Sequence, residues 1–108
     1  MTRSSRPVKM HVTYRPKPGK EADLLALVKQ HWPILDRLGL VTKEPATVYR
    51  ARDTRSGRAH FVEIFSWKDG EASGIAHTSP QVMAIWEPME VVLETLELAE
   101  IEPVDPTQ

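Results

Sequence analysis

The chain contains no cysteine. This absence removes three kinds of chemistry together: a disulfide framework, a thiolate metal site and a cysteine nucleophile. It fits a reducing cytoplasm. A surplus of one charge is missing too, since 14 basic residues stand against 15 acidic ones for a formal charge of −1. Affinity for a phosphate backbone depends on neutralised phosphates, so nucleic acid is not an expected partner. No apolar run exceeds Leu24 to Val28 in length, far short of the roughly 20 residues that span a bilayer, and no membrane partner is expected. The opening stretch MTRSSRP has no hydrophobic signal core, so the expectation is a soluble, unexported, cytoplasmic protein. There is no phosphate-cradling glycine loop, serine nucleophile elbow or paired-histidine helix. Cofactor-dependent chemistry is therefore unsupported, and neither a cofactor nor a metal is expected.

What is present is one domain's worth of alternating and helical patterns. With 108 residues the chain has enough material for a single modest core, but not for helical layers on both sides of a sheet. The expected domain runs from Val8 to Glu102, between flexible tails at 1–7 and 103–108. A sheet covered on one side only asks for a second subunit, so a homodimer is expected.

Val8, Met10, Val12 and Tyr14 alternate with Lys9, His11 and Thr13 and predict a first strand, stopped by Pro16, Pro18 and Gly19. Leu24, Val28, His31, Leu35 and Leu38 recur at helical spacing, with Gly39 placed to cap the C-terminus. Pro33 should kink or shorten that helix. Thr47 to Arg52 reads as a second strand and Arg58 to Trp67 as a third, joined through a turn at Thr54 to Gly57. Ser66 with Asp69 resembles a capping box for a short helix reaching His77. Ser79 and Pro80 then restart a helix faced by Val82, Trp86, Met89 and Leu93, with a probable kink at Pro88, and Leu96 to Ile101 offers a last strand. The order βαββαβ specifies a ferredoxin-like α+β fold with an antiparallel sheet.

The third strand has two unlike faces. Val62 and Ile64 occupy one, while Phe61, Glu63, Phe65 and Trp67 occupy the other. Placing Val8, Met10 and Val12 with Val62 and Ile64 beneath the helices leaves His11 and Tyr49 beside Glu63 and the aromatics on the open face. That open face is expected either to form a plain dimer interface or to line a cavity.

The run Phe61-Val62-Glu63-Ile64-Phe65-Ser66-Trp67, followed by Asp69, Glu71-Ala72, Ala76-His77 and Ser79-Pro80, resembles the antibiotic biosynthesis monooxygenase-like family. Val8 to Gly19 carries the resemblance more weakly, in a strand that gives way to a loop of proline, glycine and lysine. The resemblance implies a dimeric α+β barrel. It also implies one of three roles: cofactor-independent oxygenation of quinol or anthrone-like aromatics, haem degradation, or no chemistry. The haem branch fits poorly, because by ungapped spacing its ligating histidine falls on Trp86, whose indole nitrogen has no free lone pair for iron.

Each candidate residue has a functional and a structural reading. His77, at the joint between two helical segments, is either a base for a phenolic proton or a ring that holds the helix break. Glu63 cannot stay unpaired on an apolar strand. It is either a base, an orienter of His11 or His77, or half of a salt bridge to an arginine of the other subunit. His11 is a further catalytic candidate on the same proposed face. Trp67, Phe65, Phe61 and Tyr49 either stack a small aromatic ligand or pack an interface. His31 lies on the core stripe of the first helix, and neither it nor His60 is given a role; Trp86 is read as core. Arg50, Arg52, Arg55 and Arg58 are read as solvated. Two functions stay open: a cofactor-independent monooxygenase-like enzyme with His77 as base, and a noncatalytic homodimeric ligand-binding or assembly module.

Overall fold

The computed structural model describes residues 5–107 of the chain. Among them the order is β1 (Val8–Pro16), α1 (Glu21–Arg37), β2 (Thr47–Arg52), β3 (Ala59–Trp67), α2 (Ala72–Ala76), α3 (Pro80–Val92) and β4 (Leu93–Glu100). The expected tails at 1–7 and 103–108 fall partly outside the described residues. The strands form one antiparallel sheet in the order β2-β3-β1-β4, which is the ferredoxin-like arrangement. β1 and β3 are central, while the edge strands β2 and β4 are mostly exposed.

Local chemistry accounts for the boundaries. α1 opens with Glu21 and Asp23 in its first turn, where acidic groups complement the helix dipole, and Arg37 stands in its last. It ends at Gly39, whose φ of 71° is a backbone state that side chains with a Cβ disfavour, and the amide of Leu40 closes back on the carbonyl of Leu35 at 3.0 Å. Pro33 neither shortens nor divides α1, which runs through to Arg37. The N-cap position of α2 is Glu71, without a side-chain cap, rather than Ser66; Asp69 just before it accepts through Oδ1 from the amides of Glu71 and Ala72 at 2.9 and 3.1 Å. Ser79 caps α3 through the amide of Val82, with Pro80 in the first turn, and Pro88 lies within the continuous helix. In the β2–β3 hairpin, Asp53 Oδ1 accepts from the amides of Arg55 and Ser56. These bonds, that from Ser56 foremost, hold the carboxyl of Asp53 below its usual range.

The register reverses the expected faces of β3, while Met10 and Val12 lie beneath the helices and His11 and Tyr49 on the open face as expected. Val12 pairs with Glu63, Tyr14 with Phe61 and Met10 with Phe65, and directly paired residues share a face. Phe61, Glu63, Phe65 and Trp67 therefore lie with Met10, Val12 and Tyr14 beneath the helices, and all four are buried. Val62 and Ile64 lie on the uncovered side, with His11 opposite Ile64 and Tyr49 opposite Val62. The reason is physical: each face of β3 mixes apolar side chains with polar ones, Glu63 on one and His60 and Ser66 on the other, so alternation alone offers no clear polarity contrast to choose between them. Volume decides, because the large rings fill the space under α1 and α3, where Leu24, Val28, Leu35, Val82 and Met89 close the core.

Candidate active site

Glu63 is fully buried. Removing a carboxylate from water costs several kcal/mol unless hydrogen bonds replace the lost solvation, and two side chains provide them. Tyr14, one strand away on β1, donates its hydroxyl proton to Glu63 Oε1 at 2.6 Å. His31, on the core stripe of α1, brings Nδ1 to 2.9 Å from the same oxygen. An O–H···O contact of about 2.6 Å is typical of an ionised acceptor. A carboxylate has no proton to give, so His31 Nδ1 is the donor. Tyr14 and His31 approach each other only to 3.4 Å. Burial, then the charge of Glu63 and the bond to it, push the Tyr14 phenol well above its ordinary range. Two polar atoms of the cluster have no protein partner, His31 Nε2 and Glu63 Oε2.

Beside this cluster a cavity of about 270 Å³ opens between the sheet and the α2–α3 segment. Tyr14, His31, Phe65, Trp67, His77 and Trp86 are prominent in its lining, and the exposed Leu96 and Leu98 of β4 also border it. Aromatic edges are organised around the two imidazoles: His31 meets Phe65 edge-on with centroids 5.6 Å apart, and His77 meets Trp86 at 4.8 Å. His77 Nδ1 lies 2.7 Å from the carbonyl oxygen of Ser73. A carbonyl only accepts, so Nδ1 carries the proton and a neutral ring keeps its lone pair on Nε2. The cavity thus combines apolar walls for a ring system with two imidazole side chains, those of His31 and His77, in its lining.

The structure brings together part of the expected set. His77, Trp67 and Phe65 line the cavity. Glu63 lies behind its wall, and its partners are Tyr14 and His31 rather than His11, His77 or an arginine. His11 is on the opposite face of the sheet. Tyr49 is also on that face and 53% exposed, so it cannot stack a ligand in this cavity. Phe61 is core, with the Arg50 guanidinium 5.4 Å above its ring. The hairpin arginines are not merely solvated: Arg50 pairs with Glu21, Arg58 with Glu94, and Arg52 bonds the carbonyl of Gly57. Sequence reasoning missed Tyr14 and His31 and placed Trp86 in the core. The available signal was a histidine on an apolar helical stripe, in a chain that also needed a partner for a carboxylate on an apolar strand. Among the described residues, no three histidine, aspartate or glutamate side chains gather as a metal site, and no helix is long and apolar enough to cross a membrane.

No family model and no curated protein matches the chain. Solved structures do, and those most like it include antibiotic biosynthesis monooxygenase-like proteins. One is a putative antibiotic biosynthesis monooxygenase from Bacteroides thetaiotaomicron, with a TM-score of 0.68, 15% identity and coverage of 95% of this chain and 94% of that one. SnoaB, a cofactor-independent oxygenase from Streptomyces nogalater, superposes with a TM-score of 0.69 at 17% identity over 93% of this chain and 97% of its own. A dimeric protein of unknown function with a ferredoxin-like fold, from Bacteroides fragilis, gives 0.67 at 11% identity over 89% and 95%. At these identities the likeness is one of fold, and in fold it agrees with the resemblance carried by Phe61 to Pro80.

The raised phenol of Tyr14 makes a testable difference. A group that holds its proton more tightly when folded contributes stability below its unfolded midpoint, near pH 10 for tyrosine, and loses it as pH rises through the folded value. In a Tyr49→Phe protein, which leaves Tyr14 as the remaining tyrosine, tyrosinate absorbance should rise only together with loss of far-UV circular dichroism. A rise near pH ~10 with the dichroism intact would contradict the buried bond.

Proposed function

We propose that the protein is a cofactor-independent monooxygenase-like enzyme acting on a small aromatic or quinol-type molecule held in the cavity. The observation that carries this reading is the cavity itself, lined by both His77 and Trp67 and not filled by side chains. An apolar cavity of about 150 Å³ accommodates benzene, so about 270 Å³, open at the β4 edge, has room for a fused aromatic ring system that projects through the opening. Trp67, Phe65 and Trp86 supply flat apolar surface, and the imidazoles supply proton acceptors. The likeness in fold to an oxygenase that works without a cofactor supports the reading.

In this mechanism an imidazole nitrogen takes the phenolic proton of the bound substrate. The aryloxide then carries enough electron density on the ring carbon to reduce dioxygen, the co-substrate. For an anthrone-type methylene the overall change is R₂CH₂ + O₂ → R₂C=O + H₂O, in which the carbon loses four electrons and dioxygen gains them. Holding the ring against Trp67 and excluding bulk water orients the reactants and strengthens charge interactions at the site. The noncatalytic alternative requires the same residues only to pack.

We also propose that two copies pair through the uncovered sheet face, where Val62 and Ile64 lie beside the exposed Tyr49. No helix among the described residues covers that face, and one structural neighbour is described as dimeric. Sedimentation should show a dimer for the wild type and a monomer for Ile64→Lys; a wild-type monomer would contradict the pairing.

Oxygen uptake with a dihydroxyanthrone tests the chemistry. Purified protein should consume dioxygen above the uncatalysed rate, and Trp67→Ala should lose at least about tenfold of that activity, equivalent to about 1.4 kcal/mol of barrier. Uptake no faster than the buffer blank would favour the noncatalytic module.

A further inference from the structure

His31 was given no role by its sequence position, yet it is the cavity's most strongly supported imidazole. It is 4% exposed, it lines the cavity, and its two nitrogens are in unlike situations. Nδ1 is held by Glu63, whereas Nε2, across the ring, has no protein partner. A buried nitrogen without a partner is uncommon, because its desolvation is uncompensated. His77 also lines the cavity, but its environment differs. It is exposed, and its Nδ1 is held only by a backbone carbonyl.

We infer that His31, oriented by Glu63 and Tyr14, is the proton acceptor for a phenolic ligand in the cavity, and that His77 binds the ligand without taking its proton. This rests on the reading of the cavity as a site for phenolic molecules. In the step, the substrate O–H bond breaks, its electron pair stays on oxygen, and an N–H bond forms at His31 Nε2. The resulting imidazolium lies against the carboxylate of Glu63, which compensates the new charge in surroundings that water does not reach. Tyr14 donates to the same carboxylate oxygen and so holds Glu63 in place; its own raised phenol keeps it a donor throughout. Glu63 and Tyr14 are positioning residues, because neither gives or takes the substrate proton.

The titratable groups around the ring come from each packed element. They are Glu63 from β3 and Tyr14 from β1, with His77 from the joint between α2 and α3 and Glu90 from α3 in the cavity lining; β4 contributes Leu93, Leu96 and Leu98 there. Of these, Glu63 alone is a carboxylate in contact with the imidazole. Charge compensation at the moment of proton transfer is thus available to His31 and to no other histidine of the cavity.

The test uses 4-nitrophenol, whose visible absorbance reports its ionisation, titrated with the full-length protein. Bound probe should ionise at a pH at least one unit below that of free probe, that is, about tenfold in the equilibrium. His31→Gln, which preserves a donor to Glu63 but cannot accept the proton in this way, should abolish the shift. Glu63→Gln should reduce it, and His77→Asn should weaken binding severalfold while the shift persists. The exposed His77 site tolerates substitution, so that variant decides even if changes at His31 or Glu63 disturb folding. Loss of the shift in His77→Asn, or its absence in the wild type, would overturn the inference. Oxygen uptake is scored separately: an intact ionisation shift without uptake supports the role of His31 and removes the oxygenase reading alone. Anthrone-driven uptake unaffected by a folded His31→Gln protein overturns the role of His31.

Discussion

A carboxylate with no access to water sits at the centre of the sheet, and much of the architecture answers to it. Glu63 has to find donors within the fold. Those it finds come from a neighbouring strand and from the helix above, Tyr14 and His31. The bonds therefore tie together the register of β1 on β3, the face of β3 that turns inward and the rotation of α1. A one-residue slip of β3 would carry Glu63 to the open face and Ile64 inward, leaving two buried donors without an acceptor. Shape alone would not enforce this so strictly, since cores tolerate apolar rearrangements of similar volume.

The cavity is a consequence of how the second half of the chain returns to the sheet. α2 is a short segment whose first amide is bonded by Asp69, and Ser79 with Pro80 begins a separate helix. This break leaves His77 at the joint and places Trp86 of α3 facing it. The wall opposite is the inward face of β1 and β3, where Met10, Val12 and Phe65 meet the Tyr14–Glu63–His31 cluster. A rigid polar cluster on one side and a jointed helical segment on the other give the site a firm floor with an approachable edge. A cofactor-independent oxygenase shares the fold, but a fold alone does not decide a reaction.

Much of the architecture was legible from local rules. β2 matches its sequence pattern throughout, and Ser79-Pro80 and Gly39 act as helix punctuation where expected. The element order and the ferredoxin-like sheet follow from alternation and helical spacing. The faces of the sheet did not. In β3 each face mixes apolar side chains with polar ones, Glu63 on one and His60 and Ser66 on the other, so the pattern supplied a period without a direction; His11 and Tyr49 are on the open face as expected, but without Glu63 and the aromatics beside them. Pro33 was overweighted, because tertiary packing along Leu24, Val28 and Leu35 holds α1 together through it. The cavity was half legible: Trp67, Phe65 and His77 line it, whereas Tyr14 and His31 become visible only when long-range pairing brings β1, α1 and β3 together.

The central claim is that His31 donates its Nδ1–H to Glu63 in a hydrogen bond and keeps a lone pair on Nε2. Nitrogen-15 NMR of histidine-labelled protein at neutral to mildly alkaline pH reads this directly, because the protonated and bare ring nitrogens have widely separated shifts. The account predicts a His31 ring protonated at Nδ1 and bare at Nε2. A ring protonated at Nε2 and bare at Nδ1 would mean that Glu63 is the donor, and would contradict both the carboxylate and the base assigned to this cavity.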